Sequence, residues 1–295
     1  MDKDAFAGYH PAVNLFYFAL VIGCAMVLAH PVCLAVSFAC AMGYSVSLLG
    51  KKAFRFFLLP LLLIAMIVNP LFTHAGMTIL AYLPSGNPLT LESILYGISA
   101  AFLLVTVITW FSCFNAVMEN DKLVYLFGRV IPALSLVLSM ALRFVPRFTA
   151  QAKAIAGAQK CLGRDVSQGN IFRRAKHGMK ILSILMTWAL ENAIDTADSM
   201  KSRGYGLPGR SAFSIYRFEK RDRAALLFLA LCGGLIILGV AMGQLEFHYY
   251  PVIGGAGFNA WQAGLFLIYF ALCGLPLWVR GREALQWKHA LRARA

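Results

Sequence analysis

The chain has 295 residues, of which 60% are hydrophobic and only 14% are charged, and its formal net charge at pH 7 is +14. Soluble domains usually carry about 25% charged residues, so the composition excludes an ordinary soluble globular protein and indicates an integral membrane protein. Because residues 1–4 hold one Lys and two Asp and no small-residue cleavage site follows, we expect the first apolar run to be a span, not a cleaved signal peptide.

Six apolar runs reach, or nearly reach, the length of about 20 residues that a helix needs to cross a bilayer. His30 and Pro31 separate the first two runs and predict a tight hairpin, because proline cannot continue the hydrogen-bond ladder of a helix. The six runs are residues 12–29, 32–49, 54–72, 92–113, 224–243 and 260–279.

The positions of Lys and Arg predict the topology. All 27 of these residues fall in segments that six crossings would place on one side of the membrane, and eighteen of them lie in residues 114–223. The connecting segments 73–91 and 244–259 hold none. By the positive-inside rule, we expect both termini in the cytoplasm and the chain in the cell membrane, that is, the inner or plasma membrane.

Two short apolar stretches lie in the long basic segment, at 130–145 and 181–189. Charges flank both, and helices of this kind lie in the membrane interface with basic side chains reaching the lipid phosphates. The alternative is that the two stretches span as a pair, which gives eight crossings and the same topology. The predicted fold is therefore an all-α integral membrane protein with a four-span region (1–113), a cytoplasmic or interfacial region (114–223) and a two-span region with a basic tail (224–295).

A helix is predicted to end at Arg203. Gly204 suits the position after the helix because it can adopt the left-handed conformation, and Lys201 and Arg203 fall in the last turn, where the helix dipole favours cations. Basic residues in a last turn are also ordinary capping chemistry, so the pattern leaves capping and function both open. Apolar residues at three- and four-residue spacing predict one apolar stripe along this helix, namely Leu182, Leu185, Met186, Ala189, Ala193, Ala197 and Met200. Three acidic residues occupy a neighbouring face of the helix, namely Glu191, Asp195 and Asp198.

Motifs for several chemistries are missing from the sequence. It contains no G-x-x-x-x-G-K-[ST] phosphate loop, no H-E-x-x-H and no G-x-S-x-G. The predicted spans carry almost no acidic or basic residues, which proton and ion relays need. We therefore expect a membrane scaffold that has no catalytic residues, metal site or cofactor and depends on a partner for energy.

The run DTADSMKSRGYG, residues 195–206, resembles the signature of the T component of energy-coupling factor (ECF) transporters, the EcfT/CbiQ family. Those proteins carry an Ala-Arg-Gly-type motif within an A/D-x-A-M-x-x-R-G-Y/F pattern, followed by a basic stretch. Arg203 and Gly204 match this motif, Ser202 replaces its alanine, and Arg210 lies in the following stretch. The resemblance extends over most of the chain, from the first spans through the long basic segment to the last spans.

The family also has an earlier arginine motif, about 40 residues upstream, which corresponds to residues 158–165. The lead-in Ala-Gln-Lys matches, but Leu162 occupies the arginine position when Gly163 is aligned with the motif glycine. The role of the first arginine therefore falls either to Arg164 or to Lys160.

The resemblance implies a subunit that is not an enzyme. Two ABC-type ATPases would bind its coupling helices, and a separate membrane protein, the S component, would capture a vitamin, another micronutrient or a metal ion. The T component would transmit ATP-driven movement to the S component, within the lipid bilayer and without nucleic acid. The implied ATPase-coupling residues are Lys160, Gly163, Arg164, Ser202, Arg203 and Gly204, supported by Glu191, Asp195, Asp198, Lys201 and Arg210, with the acids pairing within or between the helices.

Two other classes stay open at this stage. The Asp195-x-x-Asp198 pair with nearby Glu191, beside many cations, also suits Mg²⁺ and a lipid diphosphate, as in a membrane transferase, although such an enzyme is expected to have a second carboxylate motif. The other class is a stand-alone channel or secondary carrier. Co-purification separates the three, since a T component brings two ATPase subunits with it.

Overall fold

The computed structural model describes most of the chain, and Arg210 lies outside the described residues. The description covers residues 5–50, 58–73, 76–82, 88–165, 167, 170–205, 207, 216–251, 253–255 and 259–292. The chain divides into two compact units: a membrane unit, Met1–Leu123 with Tyr216–Ala295, and a second unit, Val124–Ile215.

The described residues are mainly helical, with two short antiparallel β-hairpins. A 3₁₀ helix, Ala5–Gly8, precedes the first α-helix. The α-helices are α1 (Pro11–Val27), α2 (Pro31–Leu49), α3 (Leu59–Phe72), α4 (Leu91–Val117), α5 (Asn120–Val130), α6 (Pro132–Cys161), α7 (Ile171–Ser202), α8 (Lys220–Ala241) and α9 (Ala260–Arg292). The strands are β1 (Ile79–Tyr82), β2 (Pro88–Thr90), β3 (Phe247–His248) and β4 (Gly254–Gly255).

The six predicted spans correspond to six apolar helices. Helices α2, α4, α8 and α9 are long and apolar enough to cross a membrane, and α1 and α3 are shorter apolar helices of 17 and 14 residues. The predicted class, an all-α multi-pass membrane protein, is confirmed. The number of crossings stays a prediction.

Histidine and proline together start the first two helices of the membrane unit. His10 and His30 are the N-cap residues, and the Nδ1 atom of each accepts a backbone N–H two residues further on, at 3.2 and 3.3 Å. Pro11 and Pro31 follow at the first helical position, where a missing N–H costs no intrahelical bond. Helix α1 ends at Val27 and α2 begins at Pro31, so the helix break predicted at His30-Pro31 is confirmed, while a tight hairpin there stays a prediction.

The core of the membrane unit joins the first helices of the chain to the last two. Trp110 on α4 is fully buried and donates its Nε1–H to Ser37 Oγ on α2 at 3.0 Å. The Tyr17 hydroxyl on α1 donates to the backbone carbonyl of Cys273 on α9 at 3.2 Å. Because polar groups without water need internal partners, these two bonds fix which helices neighbour one another.

Two buried charged residues fasten the N-terminal segment. The Lys122 ammonium donates to the carbonyls of Ala7 and Val117, both at 2.7 Å, and so caps the end of α4. Asp222, in the first turn of α8, accepts the backbone N–H of His10 at 3.2 Å. The start of α1, the end of α4 and the start of α8 are therefore held together.

The two β-hairpins occupy the connections that lack Lys and Arg. Strands β1 and β2 pair antiparallel between α3 and α4, and β3 and β4 pair antiparallel between α8 and α9. Neither hairpin was predicted from the sequence, and because both are short they leave the all-α class unchanged.

The second unit is built on an antiparallel helical hairpin, α6–α7. The Phe148 ring on α6 packs edge-on against Trp188 on α7, with ring centroids 5.5 Å apart. Leu136, near the start of α6, and Met200, near the end of α7, line one cavity, so the helices run in opposite directions. At 30 and 32 residues, the helices are about 45 and 48 Å long. The stretch 181–189 lies within α7, and the stretch 130–145 lies within α6 from Pro132 onward.

Candidate functional site

The end of α7 is closed by a Schellman motif. Gly204 has φ +75° and donates its N–H to the carbonyl of Lys201 at 3.0 Å, and the N–H of Tyr205 donates to the carbonyl of Met200 at 3.0 Å. These two bonds satisfy carbonyls that the helix end would otherwise leave without partners. The predicted helix end and the predicted place of Gly204 are confirmed.

Arg203 occupies the C-cap position of α7. Its backbone N–H bonds to the carbonyl of Ser199 at 3.3 Å, and the neighbouring Ser202 hydroxyl donates to the same carbonyl at 2.9 Å. The Arg203 side chain is exposed and forms no hydrogen bond or ion pair within the described residues. Capping is done by backbone groups, so the guanidinium is available for other contacts.

The end of α6 repeats the same motif. Gly163 has φ +72° and donates its N–H to the carbonyl of Lys160 at 3.0 Å, and the N–H of Arg164 donates to the carbonyl of Gln159 at 2.9 Å. Leu162 is the C-cap residue. The two helix ends are thus built alike, with Leu162 at the position that Arg203 occupies in α7.

Lys160 and Arg164, the two candidates for the first arginine role, differ in their surroundings. The Lys160 ammonium lies 3.5 Å from Asp165 Oδ2. Hydrogen bonds from Ser167, with a smaller contribution from Lys160, lower the pKa of Asp165, so this carboxylate stays charged at neutral pH. The Arg164 side chain is exposed and has no ion pair in the part of the chain that is described. Of the two cations, Arg164 is therefore the more available for a contact with a partner.

The two groups of predicted coupling residues do not meet. Lys160, Gly163 and Arg164 lie at the end of α6, while Ser202, Arg203 and Gly204 lie at the end of α7. Because the helices are antiparallel, these ends point in opposite directions, separated by about the length of one helix, about 45 Å. The hairpin therefore presents two basic tips.

The predicted supporting acids are exposed on α7. Of Glu191, Asp195 and Asp198, only Asp195 lines the cavity that also contains Arg203. The predicted pairing with Lys201 or Arg203 is not formed: in the residues covered by the structure, none of the three acids is in an ion pair. Those residues also contain no group of three or more His, Cys, Asp or Glu that could hold a metal ion.

The face of α7 that packs on α6 differs from the predicted apolar stripe. Leu185, Ala189 and Met200 of the stripe are half-buried, but Leu182 and Met186 are 48% and 59% exposed. The contact of Trp188 with Phe148 turns the packed face away from the stripe. Half-buried residues at helical spacing mark this face: Ile181, Leu185, Trp188, Ala189, Asn192, Thr196 and Met200.

A cavity of about 840 Å³ opens between α6 and α7. Four charged residues line it, namely Arg143 and Arg147 from α6 and Asp195 and Arg203 from α7. We refer to it as the arginine cleft. Arg143 and Arg147 were not predicted as site residues from the sequence, although their i, i+4 spacing places them on one helix face.

The fold and the hairpin define the class of the protein as a multi-pass, all-α membrane protein with a basic helix pair. Residues 9–215 match the family model CbiQ, described as a cobalt transport protein. This match covers more than half of the chain, so the chain belongs to the CbiQ family. The resemblance that the sequence indicated is confirmed.

Several relatives are transmembrane proteins EcfT of energy-coupling factor transporters. The chain is 37% identical to the protein of Lactobacillus helveticus over 109 residues, which is 37% of this chain and 39% of the relative. It is 36% identical to that of Lacticaseibacillus paracasei over 109 residues (37% and 41%) and to EcfT 1 of Listeria monocytogenes over 107 residues (36% and 40%). The chain thus spans about two fifths of the length of the curated relatives it matches.

Proposed function

We propose that the chain is the T component of an ECF-type ABC importer. It links ATP hydrolysis by two partner ATPases to movement of a membrane-embedded S component, which binds a vitamin, another micronutrient or a metal ion. The observation that carries the proposal is the α6–α7 hairpin with two similar, oppositely directed basic tips. The cytoplasmic location of this hairpin and of both termini belongs to the proposal and is supported by the distribution of Lys and Arg.

Arg203 is the principal ATPase contact in this account. A guanidinium has five donors in a rigid fork, which suits a carboxylate or the carbonyls at a helix end in a partner groove. The Schellman motif at Gly204 fixes the backbone at the end of α7, so the Arg203 side chain is attached at a defined position. Truncating such an anchor, once it is desolvated in an interface, costs about 2–4 kcal/mol, or about 30- to 700-fold in affinity.

The second ATPase contact lies at the other tip. Arg164 is exposed beside the left-handed Gly163 and is free of ion pairs among the described residues. With the tips about 45 Å apart, each of two ATPase subunits can hold one end of the hairpin. Movement of the ATPases relative to each other then moves a rigid pair of helices.

The exposed apolar surface of α7 is the proposed contact for the S component. Leu182, Met186, Leu190 and Ile194 are 48–66% exposed, and they recur every four residues along one side of the helix. An apolar surface that is not packed within the chain is typical of an interaction site. It connects the Arg203 tip to the membrane partner through one helix.

Charge reversal at Arg203 tests the proposal. Arg203→Glu should abolish recovery of the ATPases when the tagged chain is co-expressed with them and purified, because the substitution replaces an attraction with a repulsion. Lys153→Glu is the control, since Lys153 is an exposed cation within α6, between the two tips of the hairpin. Recovery should survive in the control, and membrane fractionation should find both variants inserted. Unchanged recovery with Arg203→Glu would contradict the proposal.

A further inference from the structure

We propose that the arginine cleft binds the phosphate headgroup of an anionic phospholipid. This inference rests on the proposed function for the cytoplasmic location of the hairpin, and it concerns the chain without bound ATPases, because Arg203 is also the proposed ATPase contact. It starts from the charge of the cleft, where three guanidinium groups, those of Arg143, Arg147 and Arg203, face one carboxylate, that of Asp195.

The charges of the cleft are not neutralised from within. None of the four side chains is in an ion pair in the part of the chain that the structure describes. The lining therefore carries an excess of two positive charges, and a cleft lined by one sign of charge concentrates counter-ions. The chemistry points to an anion with several acceptor oxygens, such as a phosphate group, because guanidinium forks match its geometry.

Two of the arginines converge on the same opening. Arg143 and Arg147 are one helical turn apart on α6 and share a face. The guanidinium carbon of Arg147 lies 5.5 Å from the centroid of the Trp188 ring, a cation–π distance that restricts its position. A headgroup that enters the cleft meets a cation already held in place.

The rest of the lining favours an amphiphile over a free anion. Apolar side chains from both helices line the cleft beside the arginines, among them Leu136, Met140, Phe144 and Met200. A volume of about 840 Å³ exceeds what a phosphate ion fills, so space remains for the glycerol and the start of an acyl chain. Free phosphate would gain nothing from these apolar walls.

The membrane setting supplies the ligand. Basic pockets between helices on the cytoplasmic side of membrane proteins are suited to lipid headgroups, because that leaflet carries anionic lipids. Val137 and Val145 on α6 are 62% and 55% exposed, which gives the same helix an apolar surface for the bilayer. Charge, apolar lining and membrane context therefore agree on a lipid.

Native mass spectrometry of the full chain in detergent measures this binding directly. Dioleoyl-phosphatidylglycerol should bind with higher affinity than dioleoyl-phosphatidylcholine and than sn-glycerol 3-phosphate. The double variant Arg143→Gln/Arg147→Gln should lower the phosphatidylglycerol affinity about 30-fold. The control Arg173→Gln/Lys176→Gln removes the same charge from exposed positions outside the cleft and should change it less than about twofold.

A variant with increased phosphatidylglycerol affinity controls for misfolding, because a misfolded chain would lose affinity. Asp195→Asn removes the one carboxylate of the cleft and should raise the phosphatidylglycerol affinity about fivefold. Equal binding of phosphatidylcholine, equal binding of glycerol phosphate, an equal loss in the control variant or no gain with Asp195→Asn would each overturn the lipid site. Because the assay contains no ATPase, a negative lipid-binding result would leave the proposed coupling to the ATPases untouched.

Discussion

At the residue scale, the two helix tips have the same backbone geometry and different side chains. Leu162 and Arg203 are both C-cap residues before a left-handed glycine. The sequence alone left capping and function equally open for Arg203. The structure separates them, because the N–H groups of Gly204 and Tyr205 satisfy the carbonyls of the last turn, while the guanidinium forms no hydrogen bond or ion pair among the described residues.

At the α6 tip, two substitutions should differ in their effect on ATPase binding. Arg164→Ala should weaken ATPase recovery by about tenfold, because a charge-assisted contact of an exposed guanidinium is lost. Lys160→Ala should change it less, because the ammonium is already directed to Asp165 at 3.5 Å and an exposed ion pair contributes about 0–1 kcal/mol. Quantitative pull-down of the two variants measures the difference, and the reverse order would show that Lys160 is the first contact.

At the element scale, helix ends could be predicted and helix packing could not. The end of α7 at Gly204 and the helix break at His30-Pro31 follow from local chemistry, since glycine and proline act on their own backbone. The packed face of α7 depends on Phe148, forty residues away in the sequence from Trp188. Periodicity identifies an apolar stripe but not which part of it a neighbouring helix covers, and the structure leaves Leu182 and Met186 of this stripe exposed. The arginine cleft escaped prediction for the same reason.

The left-handed glycine at the α7 tip should be needed for coupling. Gly204→Ala forces a Cβ atom into φ +75° and within 3.2 Å of the Leu207 side chain, at a cost of about 1–2 kcal/mol. The backbone that carries the Arg203 side chain would then no longer be held in one conformation, and ATPase recovery should fall. Amide hydrogen exchange at Tyr205 should speed up by about tenfold.

Gly178→Ala provides the control for this prediction. Gly178 lies within α7, where a Cβ atom meets nothing within 4 Å, so alanine should stabilise the helix by up to about 1 kcal/mol. Exchange at Tyr205 and ATPase recovery should stay as in the parent chain. If both glycine variants behave alike, the geometry of the tip has no special role.

At the scale of the whole molecule, the sequence predicted the six apolar helices and the all-α class. It divided the chain at residues 113 and 223, and these boundaries stay predictions. Local sequence patterns could not show that the first and last helices share one core. The hydrogen bonds from Tyr17 to Cys273 and from His10 to Asp222 join residues more than 200 positions apart. The proposed topology rests on charge counting, which needs no knowledge of contacts.

The central claim is that the chain couples two ATPases to a membrane-embedded S component. Co-expression of the tagged chain with candidate ATPase and S-component proteins, followed by native mass spectrometry of the purified complex, tests it most directly. The account predicts one copy of this chain with two ATPase subunits and one S component, and loss of the ATPases with Arg203→Glu. Recovery of the chain alone, together with transport by the chain alone in liposomes, would contradict it.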